Sequence, residues 1–309
     1  MRQCEHSHCS AQSGTIRATF QPQGLESLAD VTRPESSGAL EELGACCREA
    51  ETEVVMNDAK CLPLVGKVAI VTGAATGMGE AIARTLAARG ASIAICDIDT
   101  EGATRVVRAI EEEGDNSASW ETDVSDGEVV HRVAAEVKRR FGVVQILVNN
   151  AGILYPTRFE DISDEEWHRT LGVNLTGAFH FCRAVYPEMK KTGWGRIVNI
   201  SSSAGRSTSD LGGVHYTVSK AGLLGLTRHL AKEAGPEVTV NAVCPGIIDT
   251  GMAARFGTPE RIEAIRRHLP LKRIGAPQDV ANLVAFLASD DAAYITGESI
   301  EIDGGELMI

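Results

Sequence analysis

The sequence predicts an α/β protein with a mainly parallel sheet covered by helices on both faces. Short apolar runs of strand length alternate with segments of helical periodicity from Gly66 onward, and that alternation builds parallel strands joined by helical crossovers. A glycine-rich stretch, Thr72–Gly79, stands between the first apolar run and the first helical segment. An acidic residue, Asp97, closes the second apolar run.

Each element has its own local signal. Val68–Val71 is a continuous apolar run, as expected of a buried strand. Glu80–Arg89 has helical periodicity and stops at Gly90, a residue suited to ending a helix. Ser92–Cys96 is a second strand, Thr100–Glu113 a helix ended by Gly114, and Ala118–Glu121 a third strand. Glu128–Phe141 is a helix closed by Gly142, and Ile146–Val148 a fourth strand running into Asn149–Gly152. Asp164–Lys191 carries one long helical pattern, followed by a fifth strand at Arg196–Ile200. A helix runs from near His215 to about Ala234, and Thr239–Val243 is a sixth strand leading into Pro245-Gly246. A helix at Pro277–Ser289 precedes the last strand, Ser299–Ile302.

The 309 residues are 43% hydrophobic and 23% charged, enough for one large α/β domain with residues left over. Residues 1–60 are polar and acidic and are interrupted by Pro22 and Pro34. They are expected to be a disordered extension, with at most a short helix around Gly38–Ala50, ahead of a single catalytic domain over 64–309. Cys4, His6, His8 and Cys9 are spaced too tightly for a zinc finger, so no metal site is expected. Met56 is an alternative start for the mature protein. The net charge of −12 argues against nucleic acid or an anionic membrane surface as partner, since both demand basic patches. No run has the length of a transmembrane helix. The eight cysteines are irregularly spaced, which suits reduced thiols in the cytoplasm.

Two stretches carry chemistry. In Thr72–Gly79, glycines 73, 77 and 79 let the backbone approach a pyrophosphate at a helix N-terminus, where free N–H groups and the positive dipole end meet the anion. Asp97 follows Gly79 by 18 residues, close to the spacing at which a carboxylate accepts hydrogen bonds from an adenosine ribose. A carboxylate there repels a 2′-phosphate. Neither Thr76 nor Ile98 offers a cation to bind that phosphate, so the expected cofactor is NAD(H). The second stretch is Tyr216–Lys220, which places a phenol and an ammonium on one helix face. An ammonium beside a phenol favours the phenolate, which equips the pair for proton exchange with an alcohol or carbonyl oxygen.

With Thr72–Gly79, Asn149–Gly152 and Tyr216–Lys220 in this order, the chain resembles the short-chain dehydrogenase/reductase family. The likeness extends to Asp123-Val124, Asn174–Gly177, Pro245-Gly246 and Asp303–Gly305. It implies a doubly wound Rossmann-type sheet of about seven strands, assembled as a homotetramer or homodimer. It also implies Tyr216 as acid/base, Lys220 lowering its pKa and holding the nicotinamide ribose, Ser202 orienting the substrate oxygen, and Asn174 supporting a proton relay. For the cofactor it implies Gly73, Gly77, Met78 and Gly79 at the phosphates and Asp97 at the ribose. Asp123 and Val124 would flank the adenine, and Asn150, Ala151 and Gly152 would line the adenosine side. Ile248 and Thr250 would meet the carboxamide.

Ser202 is preferred over Ser201 and Ser203 because Gly205 follows it by three, as in the family pattern. His215 is expected to be helix-start filler rather than a substrate contact, and Cys182 and Cys244 small core residues rather than nucleophiles. Trp167 and Phe179 are expected on a packing surface, and Gly251–Leu271 as a lid. The expected reaction is hydride transfer between NAD(H) and a secondary alcohol or ketone. Alternatives are a 3-oxoacyl-thioester reductase of the same family, usually NADPH-linked, a catalytically silent NAD-binding regulator, or a sugar-nucleotide epimerase or dehydratase.

Overall fold

Seven parallel strands lie side by side in the order β3-β2-β1-β4-β5-β6-β7 in the computed structural model, which describes residues 63–308. The N-terminal extension, including the Cys4–Cys9 cluster, the helix considered at Gly38–Ala50 and the alternative start at Met56, lies outside the described residues. The strands are β1 (Val68–Thr72), β2 (Ser92–Asp97), β3 (Ser117–Glu121), β4 (Ile146–Asn149), β5 (Gly195–Ile200), β6 (Val238–Pro245) and β7 (Ser299–Ile302). The helices are α1 (Gly77–Ala87), α2 (Thr100–Glu112), α3 (Gly127–Phe141), α4 (Asp164–Leu171), α5 (Gly177–Thr192), α6 (Val214–Ala234), α7 (Gly251–Phe256), α8 (Pro259–His268) and α9 (Pro277–Leu287).

The sheet is sealed on both faces, which is why its central strands are uninterrupted apolar runs rather than alternating ones. One face packs Ile93 and Ile95 against Ile82 and Leu86 of α1 and Val284 and Leu287 of α9. The other packs Ile70 and Leu147 against Val130 and Val137 of α3 and Phe181 and Met189 of α5. Between the central strands, the register sets Asn149 opposite Asn199. Their buried amides form a chain: Asn149 donates to Asn199 Oδ1 at 2.8 Å, and Asn199 donates to Thr227 Oγ1 at 2.9 Å, while Asn149 Oδ1 has no partner. This polar ladder ties β4 and β5 to α6.

One expected element divides. The helical pattern over 164–191 is broken by a single π-turn at Gly172–Thr176, between α4 and α5. A widened turn of this kind is common at functional sites, and here it carries the buried Asn174. The glycine that follows it has a packing reason. A Cβ on Gly177 would lie 2.7 Å from Val124 Cγ2, so α5 sits hard against the end of the β3–α3 connection.

Strand order reverses between β1 and its neighbours β2 and β4, and in an open α/β sheet a crevice forms at the carboxyl ends of strands at such a point. The loop after β1 opens into it. Gly73 and Gly77 have φ of +63° and +60°, the left-handed region that favours glycine. At Gly79 a Cβ would overlap the Gly73 carbonyl oxygen and lie 2.6 Å from Asn150 Nδ2. Gly79→Ala is therefore expected to displace backbone, costing about 1–3 kcal/mol of stability. It should also weaken dinucleotide binding, as thermal unfolding and NADH titration would show.

Candidate active site

The loop is held from two sides. Asn150, just past β4, donates through Nδ2 to the Thr72 and Gly73 carbonyls at 2.9 and 2.8 Å, leaving its own Oδ1 buried without a partner. The Thr72 hydroxyl accepts from the amides of Asn150 and Ala151, both at 3.0 Å. From β2, Asp97 Oδ2 accepts the Ala75 N–H at 2.8 Å, while Oδ1 accepts the Asp99 N–H at 2.9 Å. Each oxygen keeps a lone pair for a further donor.

These elements wall a cleft of about 580 Å³, within the range of nucleotide and small-ligand sites. Gly73, Gly77, Met78 and Gly79 line it, together with Thr76, Asp97, Ile98, Asp123 and Val124. Asn150, Ala151 and Gly152, just past β4, line it as well, as does Thr250, close to Gly77. Asp123 is a fixed anion. Burial works against its charge, but the Ser125 hydroxyl and amide and the Arg169 guanidinium, 3.0 Å away, outweigh it and hold the carboxyl below its ordinary range. The backbone cradle at the N-terminus of α1, the unpartnered Asn150 Oδ1 and the Asp97 carboxylate fit a dinucleotide bound with its pyrophosphate on the loop.

Met78, Leu154, Thr250 and Met252 border this cleft and also a second pocket, so the two adjoin. Ser202, Ser203, Tyr216 and Ile248 line the second pocket. The sequence brings them there by two close approaches. Ser202 caps a 3-10 turn at Ser203–Gly205 and accepts the Ala204 N–H at 3.2 Å. Gly205 then abuts α6, where a Cβ would lie 2.9 Å from the Lys220 carbonyl oxygen. Among the three serines, Ser201 is buried and spent on that same carbonyl, donating to Lys220 O at 2.9 Å. The Ser202 hydroxyl shares the pocket wall with the Tyr216 phenol and opposes the rise that burial imposes on it.

Behind Tyr216 lie Lys220 and Asn174, 4% and 2% exposed, neither of them on the pocket walls. Lys220 Nζ stands 5.8 Å from the Tyr216 ring centre and donates to the Ile200 carbonyl at 2.8 Å. Asn174 is clamped to the backbone of Ile153, accepting from its N–H at 2.8 Å and donating to its carbonyl at 2.9 Å, and also donates to Ser219 Oγ at 3.1 Å. The two side chains converge at Gly152, where a Cβ would lie 3.4 Å from Lys220 Nζ and 3.5 Å from Asn174 Oδ1.

The electrostatics correct one expectation. In the protein alone Lys220 does not bring the phenol below its ordinary pKa: burial raises Tyr216, opposed by the Ser202 hydroxyl. Burial also lowers Lys220 to about 8. Both groups are pushed toward their neutral forms because low-dielectric surroundings penalise charge.

Other residues are placed differently from expectation or were not singled out by it. His215 stands at the start of α6 and is not on the pocket wall. It is fully buried, bonded through Nε2 to Glu166 Oε1 at 2.9 Å and stacked on Tyr155 with ring centres 6.2 Å apart. Cys182 and Cys244 are buried thiols pushed up to about 12, principally by burial, so they sit as inert core groups. Phe179 is 43% exposed on α5. Arg169, which pins Asp123, and Glu306, on the second pocket's wall, have no spacing signal of their own; only the Asp303–Gly305 motif before Glu306 marks its neighbourhood. Gly251–Leu271 contains two short helices, α7 and α8, and Met252 and Phe256 reach the cleft. Among the described residues, no group of three or more His, Cys, Asp or Glu could hold a metal, and no helix is long and apolar enough to cross a membrane.

Fold and cleft together are those of a nicotinamide-dinucleotide oxidoreductase, and comparison with known proteins places the chain more closely. The family model described as enoyl-(acyl carrier protein) reductase matches residues 73–306. A 3-oxoacyl-[acyl-carrier-protein] reductase, FabG, from Pseudomonas aeruginosa is 39% identical over 248 residues, covering 80% of this chain and 100% of that protein. Two solved structures each align with a TM-score of 0.76. One is a candidate gluconate dehydrogenase from Agrobacterium tumefaciens, 32% identical, covering 81% of this chain and 99% of that one. The other is a 3-oxoacyl-[acyl-carrier protein] reductase from Brucella melitensis, 33% identical, covering 80% and 94%. The chain belongs to the short-chain dehydrogenase/reductase family. It is an oxidoreductase that binds a nicotinamide dinucleotide.

Proposed function

We propose that the protein transfers a hydride between NAD(H) and a secondary alcohol or ketone, with Tyr216 as the acid/base. The observation that carries this reading is the junction of the two cavities: the phenol and the Ser202 hydroxyl share one pocket wall, directly beside the end of the nucleotide cleft. When bound, the nicotinamide accepts or supplies the hydride at its ring carbon. In oxidation, the alcohol O–H gives its proton to the Tyr216 oxygen; in reduction, the phenol returns that proton to the carbonyl oxygen. Ser202 holds the substrate oxygen, and Lys220 and Asn174 form the polar path behind the phenol. Ile248 and Thr250, which line the pocket, would hold the carboxamide.

Preference for NAD(H) rests on Asp97. Its carboxylate lines the cleft beside Thr76 and Ile98, and neither of these neighbours carries a positive charge. A second reading, reduction of a 3-oxoacyl thioester, is favoured by the names of the relatives from Pseudomonas aeruginosa and Brucella melitensis. It uses the same residues for the same step. A screen of secondary alcohols, simple ketones and 3-oxoacyl thioesters with both NAD(H) and NADP(H), followed by nicotinamide absorbance, separates the readings. Faster turnover with NAD(H) supports the reading, and absence of turnover with every member contradicts it. As part of the same proposal the protein is a homodimer or homotetramer, with the exposed Phe179 of α5 covered in the assembly; light scattering at a monomer mass would count against that.

A further inference from the structure

Among the described residues, the pocket in front of Tyr216 is lined by two carboxyl groups and by no basic side chain. Glu306 and Asp210 both line it, alongside Ser203 and Ser209, and no Lys, Arg or His is among its lining residues. Glu306 is held in place by a turn that Asp303 builds just after β7. Asp303 Oδ1 accepts the Gly305 N–H at 2.9 Å, and Oδ2 accepts the Leu307 N–H at 2.7 Å. That turn seats against the Pro245-Gly246 corner, where a Cβ on Gly246 would lie 2.8 Å from Asp303 Cβ and 3.0 Å from Glu306 Oε2.

Nearby guanidinium groups are engaged elsewhere. Arg206 pairs with Glu301 at 3.1 Å, and Arg261 donates to the backbone carbonyl of Asp210 rather than to its carboxylate. Burial raises the Glu306 carboxyl above its ordinary range, with Asp210 and Asp303 adding to the effect and Ser203 opposing it. A second anion brought against this wall would meet the carboxyl groups without a basic side chain on the pocket lining to offset them.

We propose that Glu306, seconded by Asp210, selects the substrate by charge. The pocket takes an uncharged alcohol or ketone and turns away one carrying a carboxylate within two bonds of the reacting carbon. The selection works through repulsion rather than through a tighter fit, as specificity often does. It rests on the reading of this pocket as the substrate site of Tyr216.

A matched pair tests it: acetoacetate and its ethyl ester offer the same ketone with and without the charge. Affinity for the enzyme–NADH complex is read by NADH fluorescence, and kcat/KM by nicotinamide absorbance. The ester is expected to exceed the acid by about tenfold or more in both. Glu306→Gln should raise the acid-to-ester ratio several-fold, and Asp210→Asn, at an exposed position, serves as a second variant should the first fail to fold. Equal affinities for acid and ester, or a ratio unmoved by either variant, would overturn the proposal. Selective binding of the ester without turnover would uphold charge selection and overturn the acid/base reading. Failure of both ligands to bind while NADH does would overturn both.

Discussion

Replacing Tyr216 with Phe is expected to lower turnover of alcohol and ketone substrates by about a thousandfold, within the range of about 10²–10⁴ contributed by a positioned acid/base. NADH affinity should change little, because the ring stays and only the hydroxyl is lost. The pH dependence follows from the same group. Oxidation needs the phenolate, so its rate rises with pH; reduction needs the phenol, so its rate falls with pH. In the protein alone burial holds the phenol up and brings Lys220 down to about 8. The cationic form of the oxidised nicotinamide is the added charge that favours the phenolate. Titrating phenolate absorbance, as the difference between the unaltered protein and the Tyr216→Phe variant, should show ionisation at lower pH when NAD⁺ is present than when it is absent. A Tyr216→Phe enzyme that retains activity within tenfold would refute the role.

Replacing Asp97 with Ala is expected to shift the kcat/KM ratio for NADH over NADPH by about a thousandfold or more toward NADPH. A unit charge about 5 Å from a phosphate at an effective dielectric of about 20 is worth about 3 kcal/mol. Lost ribose hydrogen bonds to a charged acceptor contribute about 1.5–3 kcal/mol on the NADH side. Absolute affinities alone would mislead, because Asp97 also accepts the Ala75 N–H and helps shape the loop. That structural loss falls on both cofactors alike and cancels in the ratio. An unchanged ratio would remove the basis for the NAD(H) preference.

Much of this architecture was legible in the residues because it rests on local signals. Strands buried on both faces are apolar throughout, so Val68–Val71 and Ile146–Val148 stood out without context. The glycines at 73, 77 and 79 are where they are because the backbone leaves no room or requires a positive φ, and spacing alone reveals such a demand. Tyr216 and Lys220 share a face by helix geometry. The features that escaped depend on tertiary approach. The π-turn at Gly172–Thr176 keeps the hydrophobic pattern of a continuous helix, so periodicity could not find it. That Ser201 is taken up by the Lys220 carbonyl, 19 residues away, does not show in the run of three serines. The burial of His215 does not show in the sequence because its partner, Glu166, is 49 residues away in the chain. The direction of the Tyr216 shift was missed because burial of the phenol is a property of the packed site, not of the pair.

The central claim is direct hydride transfer beside Tyr216, and isotope transfer tests it most directly. The enzyme would be supplied with NADH carrying deuterium on the transferred side of its ring and with ethyl acetoacetate as acceptor, and the product examined by mass spectrometry. The account predicts one deuterium on the carbinol carbon of the hydroxy ester, with the hydroxyl proton drawn from solvent through Tyr216. Product formed without deuterium at that carbon would contradict it.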